Sequence, residues 1–502
     1  MTDGDVDVIV VGAGNAGFCA ALAARDTGAS VLVVEKATED AAGGNTYFTA
    51  GAFRTAHGGL PDLLPIVDDV ARSFADRAEL EPYPADQFVD DLVRVTEGRC
   101  DPAMARVLAD DSRATVGWLA DHGLPWTLMA HRQAYETEAG GLRFWGGLAL
   151  GSVNGGKGLF DGHVAAARAA GVELRFGSPV RGLCRDEDGR VCGVEVLTDR
   201  GVETIGARTV VLAAGGFQAN AELRTRHLGP EWAHAKVRGT PDNTGDLLEP
   251  AFAVGAARAG DWGGAHATAW DPTGDGVRGD RELTNRMTKQ SYPIGIVVNR
   301  DGERFLDEGA DFRNYTYAKY GAEILKQPGA MAVQLFDART SPMLREDEYT
   351  SPSVRSAQGH TIEEVCEALG ADPQGGAATV AAFNAAIQPG TFDPTVKDGV
   401  CTSGLDPDKS NWALPLDTAP FIGFAVTCGI TFTFGGLHID VDGQVLAKDG
   451  SPVTGLFAAG EIAGGLFHGN YPGGSGLMAG AVFGRRAGVA AAAVSYAMAP
   501  AD

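Results

Sequence analysis

"DVDVIVVGAGNAGFCAALAARDTGASVLVVEK", residues 5–36, holds two apolar runs separated by glycines and a stretch of small residues. The first run, Val8–Val11, leads into Gly12, Gly14 and Gly17; the second, Val31–Val34, ends on Glu35. That order reads as strand, tight turn, helix, strand, which is one βαβ unit. A GxGxxG spacing alone is weak. Here it follows a buried strand, opens a helix and is followed by an acidic residue at the end of the next strand. Gly12 makes the turn, Gly14 lets the backbone approach a pyrophosphate, and Gly17 permits close helix–strand packing. Asn15 and Ala16 begin a helix whose N-terminal end favours negative charge. Glu35, with Lys36 beside it, is placed to accept hydrogen bonds from an adenosine ribose.

Working outward, residues 43–53 form a Gly-rich loop, and about 60–140 has helical periodicity with acidic and Arg residues interspersed. From Gly171 the pattern changes to short strands, "VELRFGSPV", which ends on Val180, "GRVCGVEVLTD" and "ARTVVLAAGGF", the last carrying the chain back to the first sheet. Residues 248–425 read as a separate inserted domain. The tail returns to strand and turn in "GLHIDVDGQVL", then "VTGLFAAGE", a second Gly-rich loop and an Ala-rich helix. The expected division is therefore 1–247 and 426–502 for the nucleotide-binding domain and 248–425 for the insert. "DVDG" reads as a hairpin turn, because the other ligands of a calcium loop are missing, and no metal site is expected.

A chain of 502 residues suggests two or three compact units, and its 70 Gly against 44% hydrophobic residues point to tight turns rather than disorder. The formal charge of −24 argues against a broad nucleic-acid surface. Seven Cys without a CxxC pair read as reduced thiols of a cytoplasmic protein, and the short apolar run after an acidic start reads as neither leader nor membrane span.

The glycine motif does not separate FAD from NAD; other segments do. Glu461 directly follows Gly460 after a strand, as in flavoproteins that place an acidic residue on the ribityl–phosphate arm. Ser475, Gly476 and Leu477 offer consecutive backbone N–H groups at the start of the last helix, suited to negative charge on the N1 and C2-carbonyl side of reduced flavin. Gly44, Asn45 and Thr46 can bring backbone and short polar groups to the pyrophosphate and the flavin edge, and Ala214, Gly215 and Gly216 end a buried strand where the nucleotide would pass. No second GxGxxG and no CxxxxC pair is present, against a pyridine-nucleotide disulfide reductase.

Together "GGNTYFTAGAFR" (43–54), "GERFLDEGADFRNYTYAKYG" (302–321), "GITFTFGG" (429–436) and "GEIAGGLFHGNYPGGSGLMAGAVFGRRAG" (460–488) resemble the fumarate reductase/succinate dehydrogenase flavoprotein family, most closely its tricarballylate dehydrogenase branch. The resemblance implies an α/β fold: a Rossmann-like FAD-binding domain (FAD/NAD(P)-binding, GR2-type) with an inserted α+β capping domain. It implies a dehydrogenase or reductase of a CH–CH bond in a small, carboxylate-bearing substrate such as a polycarboxylate, with a membrane iron–sulfur partner as electron acceptor. It places Arg313 as the proton shuttle; the alternative is an ion pair with Asp307, Glu308 or Asp311. His266, in "GAHATAWDP", stands near a substrate-binding His of the family, with Ala in place of the following Pro, and a structural His is the alternative. His468 lies in the flavin loop.

Two departures from the family pattern stand out. Its paired His before an MGG-like turn gives way to Thr431 and Phe432, with Thr433 and Phe434 following, and its carboxylate-clamping Arg gives way to Tyr471. Fumarate is therefore not the expected substrate. Tyr471 is either an electrophile toward a ketone, as in 3-ketosteroid Δ1-dehydrogenases, or a packing residue. The expected substrate contacts are Tyr471, His266 and Thr433. The first Gly-rich loop has no His for flavin attachment, so FAD is expected to bind noncovalently. The remaining alternatives are a steroid-like ketone as substrate, a redox subunit of a biosynthetic complex, and an NAD(P)H-dependent reductase.

Overall fold

Along the chain, the elements that position the site are β1 (Val6–Val11), α1 (Asn15–Asp26), β2 (Val31–Val34), β3 (Glu173–Arg175), β4 (Gly201–Leu212), β5 (Arg258–Trp270), α2 (Tyr317–Leu325), β6 (Phe421–Leu437), β7 (Pro452–Ala458) and α3 (Ser475–Ala497). They come from a computed structural model that describes residues 6–137, 139–351 and 354–497. β1 and β2 are near-continuous β-branched runs because both faces of a central parallel sheet are covered. Val10 of β1 lies opposite Val33 of β2 and Val211 of β4, and Val211 in turn lies opposite Phe457 of β7. β3 flanks β2 on the far side. Four parallel strands therefore end at one edge, at Gly12, Glu35, Ala213 and Ala459. The carboxyl ends of strands in an open α/β sheet are where ligands bind. The N-terminal and C-terminal segments meet because β7 pairs with β4, not because they are close in sequence.

Behind this edge α1 and α3 cross with unusually close backbones. Gly480, Gly484 and Gly488 recur every fourth residue on α3 and face α1; a Cβ at Gly484 would sit 2.5 Å from the Ala16 carbonyl oxygen, and one at Gly488 2.1 Å from that of Ala20. Among the described residues α3 is the helix long and apolar enough to cross a membrane, but 61% of its apolar window is buried within the protein.

The second sheet is antiparallel around β6, which pairs with β5, with Met331–Phe336 and with Ser356–Gly359, and in parallel with Lys236–Val237. Its strands extend beyond 248 and 425 on both sides: Lys236–Val237 precedes the first bound, and β6 runs past the second to Leu437. The region between 60 and 140 carries helices Ala85–Val95 and Pro102–Asp121, the latter capped by the Asp101 carboxylate on the Ala103 and Met104 N–H groups. In "DVDG" the Asp440 carboxylate accepts the Asp442 and Gln444 N–H groups, each at 2.9 Å, which closes a turn. Among the described residues no cluster of His, Cys, Asp and Glu could hold a metal ion. Among the described residues no disulfide links the cysteines.

Because the two helices meet through glycine, Gly484→Val and Gly488→Val should each destabilise the fold by about 1–3 kcal/mol through overpacking. Urea unfolding checks this, and an unchanged midpoint would mean that the helices can separate at no expense.

Candidate cofactor and active site

The strand ends open into one cleft enclosing about 2050 Å³ of non-atom space, counting its solvent-connected part. Most residues expected at the cofactor line it, together with Arg313, Tyr471, His266 and Thr433. Gly17, Gly216 and Ser475 are not among the residues that line this cleft. A Cβ on Gly17 would lie 1.9 Å from the Gly12 carbonyl oxygen, so Gly17 serves helix–strand packing. A Cβ on Gly216 would lie 2.3 Å from the Glu461 carboxylate, so Gly216 makes room for that side chain. Ser475 is fully buried at the start of α3, its hydroxyl without a partner.

At the nucleotide end, Gly12 has φ +108° and a Cβ there would strike the Ala213 carbonyl oxygen at 2.4 Å, so only glycine makes this turn. The Glu35 carboxylate accepts the Ala13 N–H at 2.7 Å and the Ala37 N–H at 2.9 Å. Two acceptor positions remain for ribose hydroxyls. Burial raises its pKa, opposed by those two N–H donors. Lys36 lines the cleft, but its ammonium bonds Thr244 and Asp246, each at 2.9 Å.

Asn15 ties three segments together. Its N–H donates to Thr46 Oγ1 at 2.9 Å, its side-chain amide donates to the Leu477 carbonyl at 2.8 Å, and its Oδ1 lies 3.0 Å from His163 Nε2. The N-termini of α1 and α3 thus share one wall with the Gly44–Thr46 loop. Asn45 extends the tie, donating to the Thr431 carbonyl at 2.5 Å and accepting the Thr240 N–H at 3.0 Å.

Glu461 stands at the end of β7. Its carboxylate accepts the Thr433 N–H at 2.9 Å and the side-chain amides of Asn243 and Gln218 at 3.1 and 3.3 Å. Enclosure by protein pushes its pKa up to about 8, against these donors. A solvated loop carboxylate would show none of this.

At the other end of the cleft, Arg313 is buried and pairs with none of the three acids near it in sequence. Asp311 is taken by Arg94 and Lys397, Glu308 by Arg304, and Asp307 by Ser410. Arg313 donates instead to Gln290 Oε1 and to the Arg132 carbonyl, and its Nε has no partner. Its guanidinium carbon lies 5.3 Å from the centre of the Trp145 ring. Burial, with Arg345 and Arg132 nearby, pushes its pKa well below the usual arginine value.

β5 and β6 place the remaining expected residues: His266 lies opposite Phe432 and Ala265 opposite Thr433. Neither imidazole nitrogen of His266 has a partner, and the ring centre lies 4.9 Å from that of Tyr471, 5.0 Å from Tyr317 and 5.3 Å from Phe432. Burial and the nearby Arg238 hold its pKa well below 6.5, so the ring is neutral. The Tyr471 and Tyr317 hydroxyls hydrogen-bond each other, and the Thr433 hydroxyl has no partner. His468 lies outside the lining, its Nδ1 3.2 Å from an Asp261 carboxylate oxygen.

Sequence reasoning missed Arg238, Asn285, Gln290 and Tyr317, all of which line the cleft. Tyr317 lay inside the quoted 302–321 stretch. Nothing local marks Arg238: only pairing of Lys236–Val237 with β6 brings it to the site.

Glu461 gives the ligand-free protein a pH signature. Between pH 4.5, the ordinary value, and about 8 the folded chain holds a proton that the unfolded chain releases. Its contribution to stability therefore falls as pH rises through that window. Glu461→Gln should flatten the dependence, as measured by urea midpoints across the range; an identical slope in the variant would assign the effect elsewhere.

The turn at Gly12, the open acceptor positions on Glu35 and the two helix N-termini fit a dinucleotide, and the cleft runs on from them past Glu461 to His266, Thr433 and Tyr471. Comparison with known proteins agrees. Residues 7–477 match the family described as FAD binding domain. A probable fumarate reductase of Shewanella frigidimarina is 30% identical over 96% of this chain and 74% of its own length. A 4-oxocyclohex-2-ene-1-carboxylate 5-dehydrogenase of Sinomonas cyclohexanicum is 29% identical over 96% of this chain and 93% of its own length. The open conformation of a flavocytochrome c3 fumarate reductase superposes with a TM-score of 0.71 at 26% identity, over 98% of this chain and 79% of that one. The chain belongs to the FAD binding domain family, among the fumarate reductase/succinate dehydrogenase flavoproteins, and is an FAD-dependent oxidoreductase acting on CH–CH bonds.

Proposed function

We propose that the substrate is a small, carboxylate-bearing molecule of the tricarballylate class, and that Arg313 moves the proton at one carbon of the reacting bond. The observation that carries this reading is Arg313 itself: buried, lining the cleft, free of any acid partner, and held near other arginines that make its proton easier to release. A general acid or base works best when its pKa approaches the working pH, and an arginine in water is far from that condition.

FAD, when bound, supplies two-electron exchange with the substrate. Glu35, Asn15 with Gly14, and the N-termini of α1 and α3 would hold its adenosine and pyrophosphate; Glu461 and Asn45 stand where its ribityl arm and ring edge would pass. We take the binding as noncovalent, since residues 43–53 contain no His. Gln290 and the Arg132 carbonyl fix the guanidinium plane of Arg313, Trp145 covers it, and His266 and Thr433 present unpartnered polar atoms toward the substrate. We place the chain in the cytoplasm, where it would pass electrons to a membrane iron–sulfur partner.

The hydroxyl pair of Tyr471 and Tyr317, walled by Phe432, favours a second reading in which a ketone activates the bond. The relative named 4-oxocyclohex-2-ene-1-carboxylate 5-dehydrogenase combines a ketone with a carboxylate in its named substrate.

Anaerobic addition of tricarballylate, other saturated polycarboxylates, 4-oxocyclohexanecarboxylate and a 3-ketosteroid separates these readings by which compound bleaches the flavin. Arg313→Ala should keep FAD and lose about 10²–10⁴-fold in turnover, the usual contribution of a positioned acid or base. Bleaching by none of the acids would exclude the substrate class, and undiminished turnover in the variant would exclude the shuttle.

A further inference from the structure

The geometry points to Arg238 as the specificity-determining anchor for a substrate carboxylate in this cleft. The inference deepens the carboxylate reading above and rests on it. Arg238 follows the short strand Lys236–Val237, its own N–H continuing the ladder to the Ile430 carbonyl at 2.8 Å, so its backbone is fixed against β6. The residue is 7% exposed and lines the cleft.

Its guanidinium donates to Thr431 Oγ1 at 2.6 Å and to Asn285 Oδ1, while Nε has no partner. A guanidinium carries five N–H donors, and both partners here are neutral oxygens. They set the plane of the group without neutralising it. Other buried arginines of this interior are settled differently. Arg132 pairs with Asp347 and Glu348, and Arg304 with Glu308. Arg224, which also lacks an acid, fills its fork with the carbonyls of Gln218, Trp232 and Ala235, away from the cleft.

A cation taken out of water without a counter-charge is strongly unfavourable, and burial accordingly depresses the pKa of Arg238. A carboxylate bound through two parallel N–H donors supplies both the missing charge and the missing acceptor. Next to this cation stand the neutral imidazole of His266, with two unpartnered nitrogens, and the rings of Tyr317 and Tyr471. The substrate class that fits is an acid whose carboxylate meets Arg238 while its carbon frame lies along these rings. Tyr471 has replaced the arginine that the resemblance would put in the flavin loop; Arg238 restores a cation to the cleft from a different strand.

The test uses the FAD-loaded protein, titrated with malonate and with tricarballylate while the flavin absorbance band is followed, in wild type and in Arg238→Gln, Arg238→Lys and Arg238→Met. Loss of a charge-assisted pair should raise Kd for both acids by about 30-fold or more in Arg238→Gln, with partial recovery in Arg238→Lys. Without ligand, Arg238→Met should melt no lower than wild type, because it removes an uncompensated charge; a structural arginine would lower Tm. Unchanged Kd values in Arg238→Gln would overturn the anchor while leaving the substrate class standing. So would a shifted ligand-free flavin spectrum with Kd unchanged, which would reassign Arg238 to the flavin. A wild type that binds neither acid yet is reduced by a 3-ketosteroid would overturn the substrate class and the anchor together.

Discussion

Two helix N-termini share one cleft because nothing larger than hydrogen stands between α1 and α3 where they cross. Gly480, Gly484 and Gly488 bring the α3 backbone against Ala16 and Ala20, and Asn15 then bonds across to Leu477. The partial positive ends of both helices meet the same wall, and an anion lying there interacts with both. The sheet edge supplies the rest: Gly12, Glu35, Ala213 and Ala459 mark the ends of parallel strands drawn from the two extremes of the chain. The cofactor site therefore depends on a backbone contact that no side chain on α3 could improve.

The substrate end obeys a different rule. Its polar groups are left incomplete: the nitrogens of His266, the hydroxyl of Thr433, and Nε of both Arg238 and Arg313 find no partner within the protein. Buried polar atoms are normally satisfied, so each that is not calls for an explanation, and a ligand in the cleft supplies one for these. At the nucleotide end the carboxylates sit among N–H donors, while at the substrate end the cations sit among neutral oxygens and rings. The two halves of the cleft are thus complementary to different charge distributions although they share one cavity.

How much of this was legible in the sequence follows the range of the interactions involved. The βαβ unit was readable because its turn, helix and second strand lie within 32 consecutive residues, each with a local periodicity. Glu461 and the Gly-rich loop before α3 were readable from their place after a strand and before a helix. Arg313 could be placed from the motif around it, but its freedom from Asp307, Glu308 and Asp311 could not, since those acids are claimed by Arg94, Lys397, Arg304 and Ser410 from elsewhere in the chain. Arg238 was invisible because its neighbours Thr431 and Asn285 are far away in sequence, the first brought to it by the register of β6 and the second by the short helix Thr284–Met287. The packing role of Gly17 was legible from its place in the motif, because only the close approach of helix to strand demands a glycine there.

β6 also ties the two parts of the cleft to one register. Along one face of the chain it carries Thr431, tied to Asn45 and Arg238, and Thr433, tied to Glu461, while the rest of the strand is laddered to β5 and to Met331–Phe336. It belongs to the antiparallel sheet, yet its second half is bonded to residues of the cofactor cleft. Thr431 and Thr433 are held from both directions at once, and Arg238, whose N–H bonds the Ile430 carbonyl, is held with them. A one-residue slip of β6 would carry both threonines to its opposite face, so the register of a single strand fixes polar contacts at both ends of the cleft.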